Sequence, residues 1–213
     1  MTVQQKLNPV AVVQVGVLAG LGWLATLQPA IAHHPMGGNI PASGWEGFLS
    51  GLGHPIVGLD HFAFIIAVGL LSALYSRGWR LPMFFLVSAM MGTGLHLLKL
   101  DLPVPESIIA LSVIALGIIL LLGKRFNMPA LATGFAIAGL FHGYAYGESI
   151  IGAEAAPLAA YLAGFTAIQA AIALFFYALS VGLGQKAPVL NRSYGFVACL
   201  IGTLFLATSL RLG

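Results

Sequence analysis

The sequence predicts an all-α fold, a polytopic transmembrane helical bundle. Of its 213 residues, 59% are apolar and only 7% are charged, and the mean hydropathy is +0.98. Soluble domains carry about 25% charged residues, so this chain could not cover a water-facing surface. The apolar residues also form blocks that approach the roughly 20 residues needed to cross the hydrocarbon as a helix. Because the blocks are continuous and do not alternate, they favour helices over a barrel.

Seven apolar blocks follow one another, separated by prolines and charged residues. Six spans remain if the first block is removed, and seven if it is retained. We expect residues 33–213 to form one six-helix membrane domain, with no separate soluble domain. The blocks are residues 9–32, 54–76, 81–98, 106–123, 129–147, 157–184 and 193–212.

The first block has two interpretations. Lys6 precedes an apolar stretch that ends in Ala30-Ile31-Ala32, and this small-residue pattern is typical of a signal-peptide cleavage site. We therefore predict that residues 1–32 are a cleaved signal peptide. The alternative is a retained first transmembrane helix.

The charged residues predict a direction for the bundle. With Lys6 in the cytoplasm and alternating spans, only Lys99 and Arg211 of the nine Lys and Arg fall outside. All six acidic residues and all six histidines fall on the outer side or in the outer ends of spans. The basic loops are explained by topology, so the pI near 9.2 does not indicate nucleic-acid binding.

The strongest motif is His54-Pro-Ile-Val-Gly-Leu-Asp60-His61, at the outer start of a span. His54 and His61 are two helical turns apart, so they share a face if the segment is helical. Pro55 suits a first helical position. Asp60 is costly in lipid, which favours a functional site in which it ligates a metal or orients an imidazole. The alternative is a helix cap at His54 and a satisfied polar pair.

The second motif is Phe141-His142-Gly-Tyr-Ala-Tyr-Gly-Glu148, at the outer end of another span. His142 is a candidate metal ligand, with a hydrogen-bonded core histidine as the alternative. Glu148 would lie at the rim, where a solvated loop acid is the alternative. Small residues four apart predict close helix packing here: Gly139, Gly143 and Gly147.

Four further residues are weaker metal candidates. Glu106 begins a span, where a carboxylate also complements the helix dipole. His96 ends a span and has an interfacial role as its alternative. After cleavage, His33 and His34 would form a small chelating group with the new amino terminus, unless they lie in a disordered tail.

Two polar residues inside spans have ordinary structural explanations. Ser112 is expected to bond only the backbone. Gln169 is expected to form a helix–helix hydrogen bond, and the alternative is a contact along an ion path. Imidazoles and carboxylates without thiolates suit Ni²⁺, Co²⁺, Zn²⁺ or Mn²⁺. The histidines disfavour an all-oxygen Mg²⁺ or Ca²⁺ site.

The two motifs together resemble the HupE/UreJ family of bacterial membrane proteins, over nearly the whole mature chain. Family members are regarded as secondary permeases for nickel or cobalt. The resemblance implies metal roles for His54, Asp60 and His61, and for His142 and Glu148. The chain departs from the family pattern at position 146, where a tyrosine stands in place of a common second histidine.

The resemblance implies a secondary transporter, not an enzyme, in the bacterial inner membrane with its acidic and histidine-rich side outward. No permanently bound cofactor is expected, since Ni²⁺ or Co²⁺ would be cargo, with Zn²⁺ also fitting. The expected partners are the ion and membrane lipid, with a homo-oligomer or metalloenzyme maturation partners left open. Two alternatives remain: a membrane accessory protein that delivers metal to an enzyme, and an intramembrane metal-dependent hydrolase.

Overall fold

The structure, a computed structural model, describes residues 39–212, and all regular secondary structure within them is helical. The predicted all-α class is therefore confirmed for this part of the chain, while the predicted leader, residues 1–32, lies outside it. Short 3-10 turns separate some of the helices. The α-helices are α1 Gly44–Val57, α2 Leu59–Ser72, α3 Leu81–Leu97, α4 Pro105–Leu122, α5 Met128–Glu148, α6 Ala155–Leu183 and α7 Ala187–Leu212.

Helix starts follow from local side-chain chemistry. Ser43 caps α1 by accepting the Glu46 backbone N–H at 3.2 Å, and the Glu46 carboxylate accepts the Ala42 N–H at 2.8 Å. Asn127 caps α5 by accepting the Ala130 N–H at 2.8 Å. Gly123 ends α4 with a φ of +61°, a conformation that other residues rarely adopt.

Two stretches of the described chain are long and apolar enough to cross a bilayer. One is α4, and the other runs from Ala155 to Arg211 and contains both α6 and α7. The bent pair α1–α2 makes a third if it crosses as one unit. Large apolar side chains such as Met91 and Phe175 are exposed on the outside of the bundle, which suits contact with lipid. The chain is a membrane protein, and the count of six spans stays a prediction.

Contacts between helices establish their relative directions. The α1–α2 unit runs parallel to α6, and α3 runs parallel to α5. In contrast, α2 is antiparallel to α5, and α4 is antiparallel to α7. The short connection 123–127 makes α4 and α5 antiparallel neighbours. With α1 and α2 taken as one unit, the six successive units α1–α2, α3, α4, α5, α6 and α7 alternate in direction. The contacts between α1–α2 and α6 are Gly47–Pro157, Gly51–Tyr161 and Gly69–Ala173, and those between α3 and α5 are Phe85–Gly139 and Ala89–Gly143. The contacts between α2 or the turn after it and α5 or the turn before it are His61–His142 and Tyr75–Phe126. Those between α4 and α7 are Ser107–Ser209 and Gly117–Cys199.

This alternation separates the charges of the described residues into two ends. We call one the acidic end, defined by Glu46, Asp101, Glu106, Glu148 and Glu154. We call the other the basic end, defined by Arg77, Arg80, Lys124, Arg125, Lys186 and Arg192. Lys99 and Arg211 are the described bases at the acidic end, as predicted. The separation matches a positive-inside arrangement.

Helix α2 lies at the centre of the bundle. Twelve of its 14 residues are buried, and it contacts every other α-helix that the structure describes.

The neighbouring pair α3–α5 packs through the predicted glycine ridge. A Cβ on Gly143 would overlap the Ala89 carbonyl, and one on Gly147 would lie 2.7 Å from the His96 Cβ. Glycine is therefore required for the close approach of α3 and α5.

We predict that Gly143→Ala destabilises the bundle by about 1–3 kcal/mol, because the added methyl group forces α3 and α5 apart. Gly134→Ala, on the same helix but with nothing within 4 Å of its Cβ position, is the matched control and should leave stability unchanged or slightly higher. Denaturant unfolding in detergent measures both. Equal stability of the two variants would contradict the close packing of α3 on α5.

Candidate metal centre

The site is built where α1 ends and α2 begins. Gly58 separates the two helices, and their axes differ by 80°. Pro55, predicted at a first helical position, lies instead in the last turn of α1. The predicted continuous span 54–76 is broken at this point. A shared helix face for His54 and His61 required one continuous helix, and this condition is not met because the break falls between them.

The bend between α1 and α2, rather than one continuous helix, places the two histidines close together. The ring centroids of His54 and His61 are 6.0 Å apart, and both residues are almost fully buried. A Cβ on Gly58 would lie 2.6 Å from the His61 Cδ2, so a larger residue would push this ring away. Imidazole nitrogens bind a divalent ion at about 2.0–2.1 Å. Rings at this separation are within reach of one shared ion.

Asp60 brings a carboxylate into the same buried turn. Its side chain is 2% exposed. Its Oδ1 accepts the His61 backbone N–H at 2.8 Å, which satisfies one of the unpaired amides at the start of α2. The helix dipole favours a negative charge at this position. The sequence thus places Asp60 where its charge is held beside His61.

His142, on α5, is joined to His61 by a hydrogen bond between their Nδ1 atoms, which are 2.8 Å apart. Ser112 donates its one hydroxyl hydrogen to the Ile109 carbonyl at 2.7 Å, so it accepts from the His142 Nε2–H at 3.0 Å. A neutral His142 then accepts at Nδ1 from the His61 Nδ1–H. The lone pair of a neutral His61 therefore lies on Nε2.

A second hydrogen-bond network fixes the orientation of His54. Its Nδ1 lies 2.9 Å from the Ser149 Oγ and 3.2 Å from the Tyr161 hydroxyl. The Tyr161 hydroxyl donates to the Tyr146 carbonyl at 2.8 Å. Partners of this kind hold an imidazole in the orientation that a metal requires. Helices α5 and α6 thus position a ring that α1 carries.

The ring of Tyr146 lies against both histidines of the first motif, His54 and His61. Its centroid is 5.0 Å from that of His54 and 4.6 Å from that of His61. The ring also contacts Phe165, at 5.4 Å. The side chain is fully buried, and its hydroxyl has no hydrogen-bond partner in the described part of the chain.

The three histidines contact one another in pairs and do not surround a common point at metal-ligand spacing. His61 contacts both His54 and His142. Within residues 39–212, no group of three or more His, Cys, Asp or Glu lies at the spacing that would hold a metal ion. A half-open apolar cavity of 340 Å³ extends along α4 and α5 from Phe64 and Ser112, both of which contact His142, to Phe126 at the basic end, and exposed residues such as Gly134 line its outer side.

Comparison with known proteins agrees with the motifs. The family model described as HupE / UreJ protein matches residues 21–205. Protein HupE of Rhizobium leguminosarum bv. viciae is 32% identical over 185 residues, which cover 84% of this chain and 91% of that protein. The chain belongs to the HupE/UreJ family. The family is associated with nickel and cobalt uptake, and its members are transport-related proteins rather than known enzymes. No solved structure matches the chain.

The other predicted ligands of this HupE/UreJ protein are less buried than the three histidines of the site or stand outside the described residues. Glu106 and Glu148 are exposed at the acidic end. His96 is half-buried on α3, and its ring packs 4.3 Å from that of Tyr144. His33 and His34 lie outside the described residues. The metal roles of all these residues stay predictions.

Three members of the site were missed or misjudged from the sequence. Ser149 and Tyr161 contact His54, yet each stands in a segment whose pattern gives no sign of a polar network. Ser112 bonds the backbone as expected, but it also accepts from His142. Gln169 donates to Phe165 of its own helix, so the expected helix–helix hydrogen bond was wrong.

We predict that Tyr161→Phe destabilises the protein by about 1–2 kcal/mol, because it removes the shorter of the two hydrogen bonds to the buried Tyr146 carbonyl, leaving the Ser149 hydroxyl at 3.2 Å, and also removes a partner of His54. Tyr177→Phe on the same helix is the control, since the Tyr177 hydroxyl makes no hydrogen bond to the rest of the described chain. Thermal unfolding in detergent checks this expectation. A Tyr161→Phe variant as stable as the Tyr177→Phe variant would contradict the network.

Proposed function

We propose that this chain is a secondary permease that carries Ni²⁺ or Co²⁺ across the bacterial inner membrane, from the acidic end to the basic end. The observation that supports it best is the buried group of His54, His61 and His142 with Asp60, placed at a break in a central helix. Ionisable residues inside a membrane are costly, and they usually face an ion or substrate path. Discontinuous helices form such sites in other transporters.

The ligand chemistry supports a borderline divalent cation as cargo. Neutral imidazole binds Ni²⁺, Co²⁺ and Zn²⁺ well, and a single carboxylate offsets part of the ion's charge. Carboxylates at the acidic end would raise the local concentration of cations before they enter. Since imidazole and carboxylate ligands must be deprotonated to bind metal, binding is expected to weaken as pH falls. The membrane potential would favour inward movement of the cation.

The apolar cavity supports a gated exit. It lies between the histidines and the basic end, and its lining is almost wholly apolar. A hydrophobic passage excludes a hydrated ion until it is wetted. We infer that release toward the basic end requires α4 and α5 to separate, because both helices line this cavity.

We predict that His54→Ala and Asp60→Ala each lower cellular accumulation of radioactive nickel or cobalt by about tenfold or more, because each removes a ligand or the group that orients one. Tyr177→Phe, remote from the site, is the control for expression and membrane insertion. Uptake at the control level in either well-expressed alanine variant would remove that residue from the proposed site.

Reconstitution separates the permease from the two alternatives. We expect purified protein in liposomes to carry Ni²⁺ or Co²⁺ down a concentration gradient, with His61→Ala showing the background rate. An accessory protein that hands metal to an enzyme would bind the ion but give no flux. A hydrolase would retain a stoichiometric metal that resists exchange. Either of those results would contradict the proposal.

A further inference from the structure

The hydroxyl of Tyr146 is the unexplained polar group at the centre of the site. The residue is fully buried, and no described atom pairs with its hydroxyl. Burial of an unpaired hydroxyl costs free energy. A phenylalanine would fill the same space and keep the ring contacts with His54, His61 and Phe165 without that cost. The hydroxyl therefore requires a partner other than the side chains around it.

Other enclosed tyrosines in the described chain have conventional partners. The Tyr161 hydroxyl donates to the Tyr146 carbonyl, and the Tyr194 hydroxyl donates to the Ala63 carbonyl at 2.8 Å. Tyr75, which is only half-buried, also has partners: it donates to the Phe126 carbonyl and accepts its N–H. Among these tyrosines, the unpaired hydroxyl is thus that of Tyr146, whose ring lies against His54 and His61.

We propose that the Tyr146 hydroxyl is an oxygen ligand to the divalent cation that His54 and His61 share. This proposal rests on the proposed function and adds a donor to its site. A phenol oxygen carries lone pairs and can coordinate a metal ion as a neutral ligand. With two imidazoles it makes a mixed nitrogen–oxygen ligand set, which Ni²⁺, Co²⁺ and Zn²⁺ accept. The bound ion is then the missing partner of the hydroxyl.

The surroundings hold Tyr146 in position for this role. Its carbonyl accepts from the Tyr161 hydroxyl at 2.8 Å, and the same hydroxyl lies 3.2 Å from the His54 Nδ1. One side chain on α6 thus positions both the α5 residue and the α1 imidazole. Contact with Phe165 restrains the ring of Tyr146 on a further side. Ligands fixed before binding lose little freedom when the ion arrives.

The test titrates purified protein with Co²⁺ and Ni²⁺, each alone, by calorimetry, and records the visible absorption of bound Co²⁺. Tyr146→Phe should bind both ions about tenfold or more weakly, with a changed Co²⁺ spectrum and a thermal midpoint equal to or above that of the wild type. Tyr146→His replaces the oxygen with a nitrogen donor and should bind more tightly than Tyr146→Phe.

Tyr75→Phe is the matched control. It deletes a tyrosine hydroxyl at the basic end, outside the site, and should leave both affinities and the spectrum unchanged. Wild-type affinity and an unchanged spectrum in Tyr146→Phe would overturn the proposal and leave the permease intact, with water as the hydroxyl's partner. Equal weakness of the His and Phe variants would overturn it too, because the position would then act by shape alone. No binding by the wild type would overturn the proposed function itself.

Discussion

A helix that ends inside an apolar bundle leaves backbone groups without partners, and the structure depends on how the chain meets this constraint at Gly58. The break is narrow: the Gly58 N–H donates to the His54 carbonyl at 3.1 Å, and the Phe62 N–H donates to the Gly58 carbonyl at 2.8 Å. Asp60 accepts the amide that follows it. With no water available at membrane depth, a break is tolerated only where such groups are supplied. The same turn then carries two imidazoles and a carboxylate at one place.

Close packing of the other helices keeps this turn enclosed. Glycines let α1 approach α6, α3 approach α5, and α4 approach α7, because a Cβ at each contact would overlap the facing backbone. In lipid there is little hydrophobic drive for helices to associate, so contact between small residues has a large part in holding them together. These pairs surround α2, whose His61 is 1% exposed. The polar cluster is thereby shielded from lipid, which a charged or ion-binding group requires.

The sequence predicts the class, the charge separation and the members of the main motif, because each rests on composition or on residues close together in the chain. It predicts the glycine ridge on α5 for the same reason. It does not predict the geometry, since spacing alone treats 54–61 as one helix, whereas the structure bends by 80° at Gly58. Ser149 and Tyr161 lie 95 and 107 residues from His54, and nothing local marks them as its partners. The sequence marks Tyr146 only as a departure from a family pattern, while its unpaired hydroxyl becomes visible in three dimensions.

We infer that a broken helix gathers His54, His61 and their neighbours into a site for one divalent transition-metal ion. X-ray absorption at the metal edge examines this site on purified protein loaded with one equivalent of Ni²⁺ or Co²⁺. A His33→Ala, His34→Ala background removes the imidazoles of these two other predicted ligands from the signal. We expect a first shell of nitrogen and oxygen with the scattering pattern of at least two imidazoles, and no sulfur. A shell of oxygen alone, or one that contains sulfur, would contradict it.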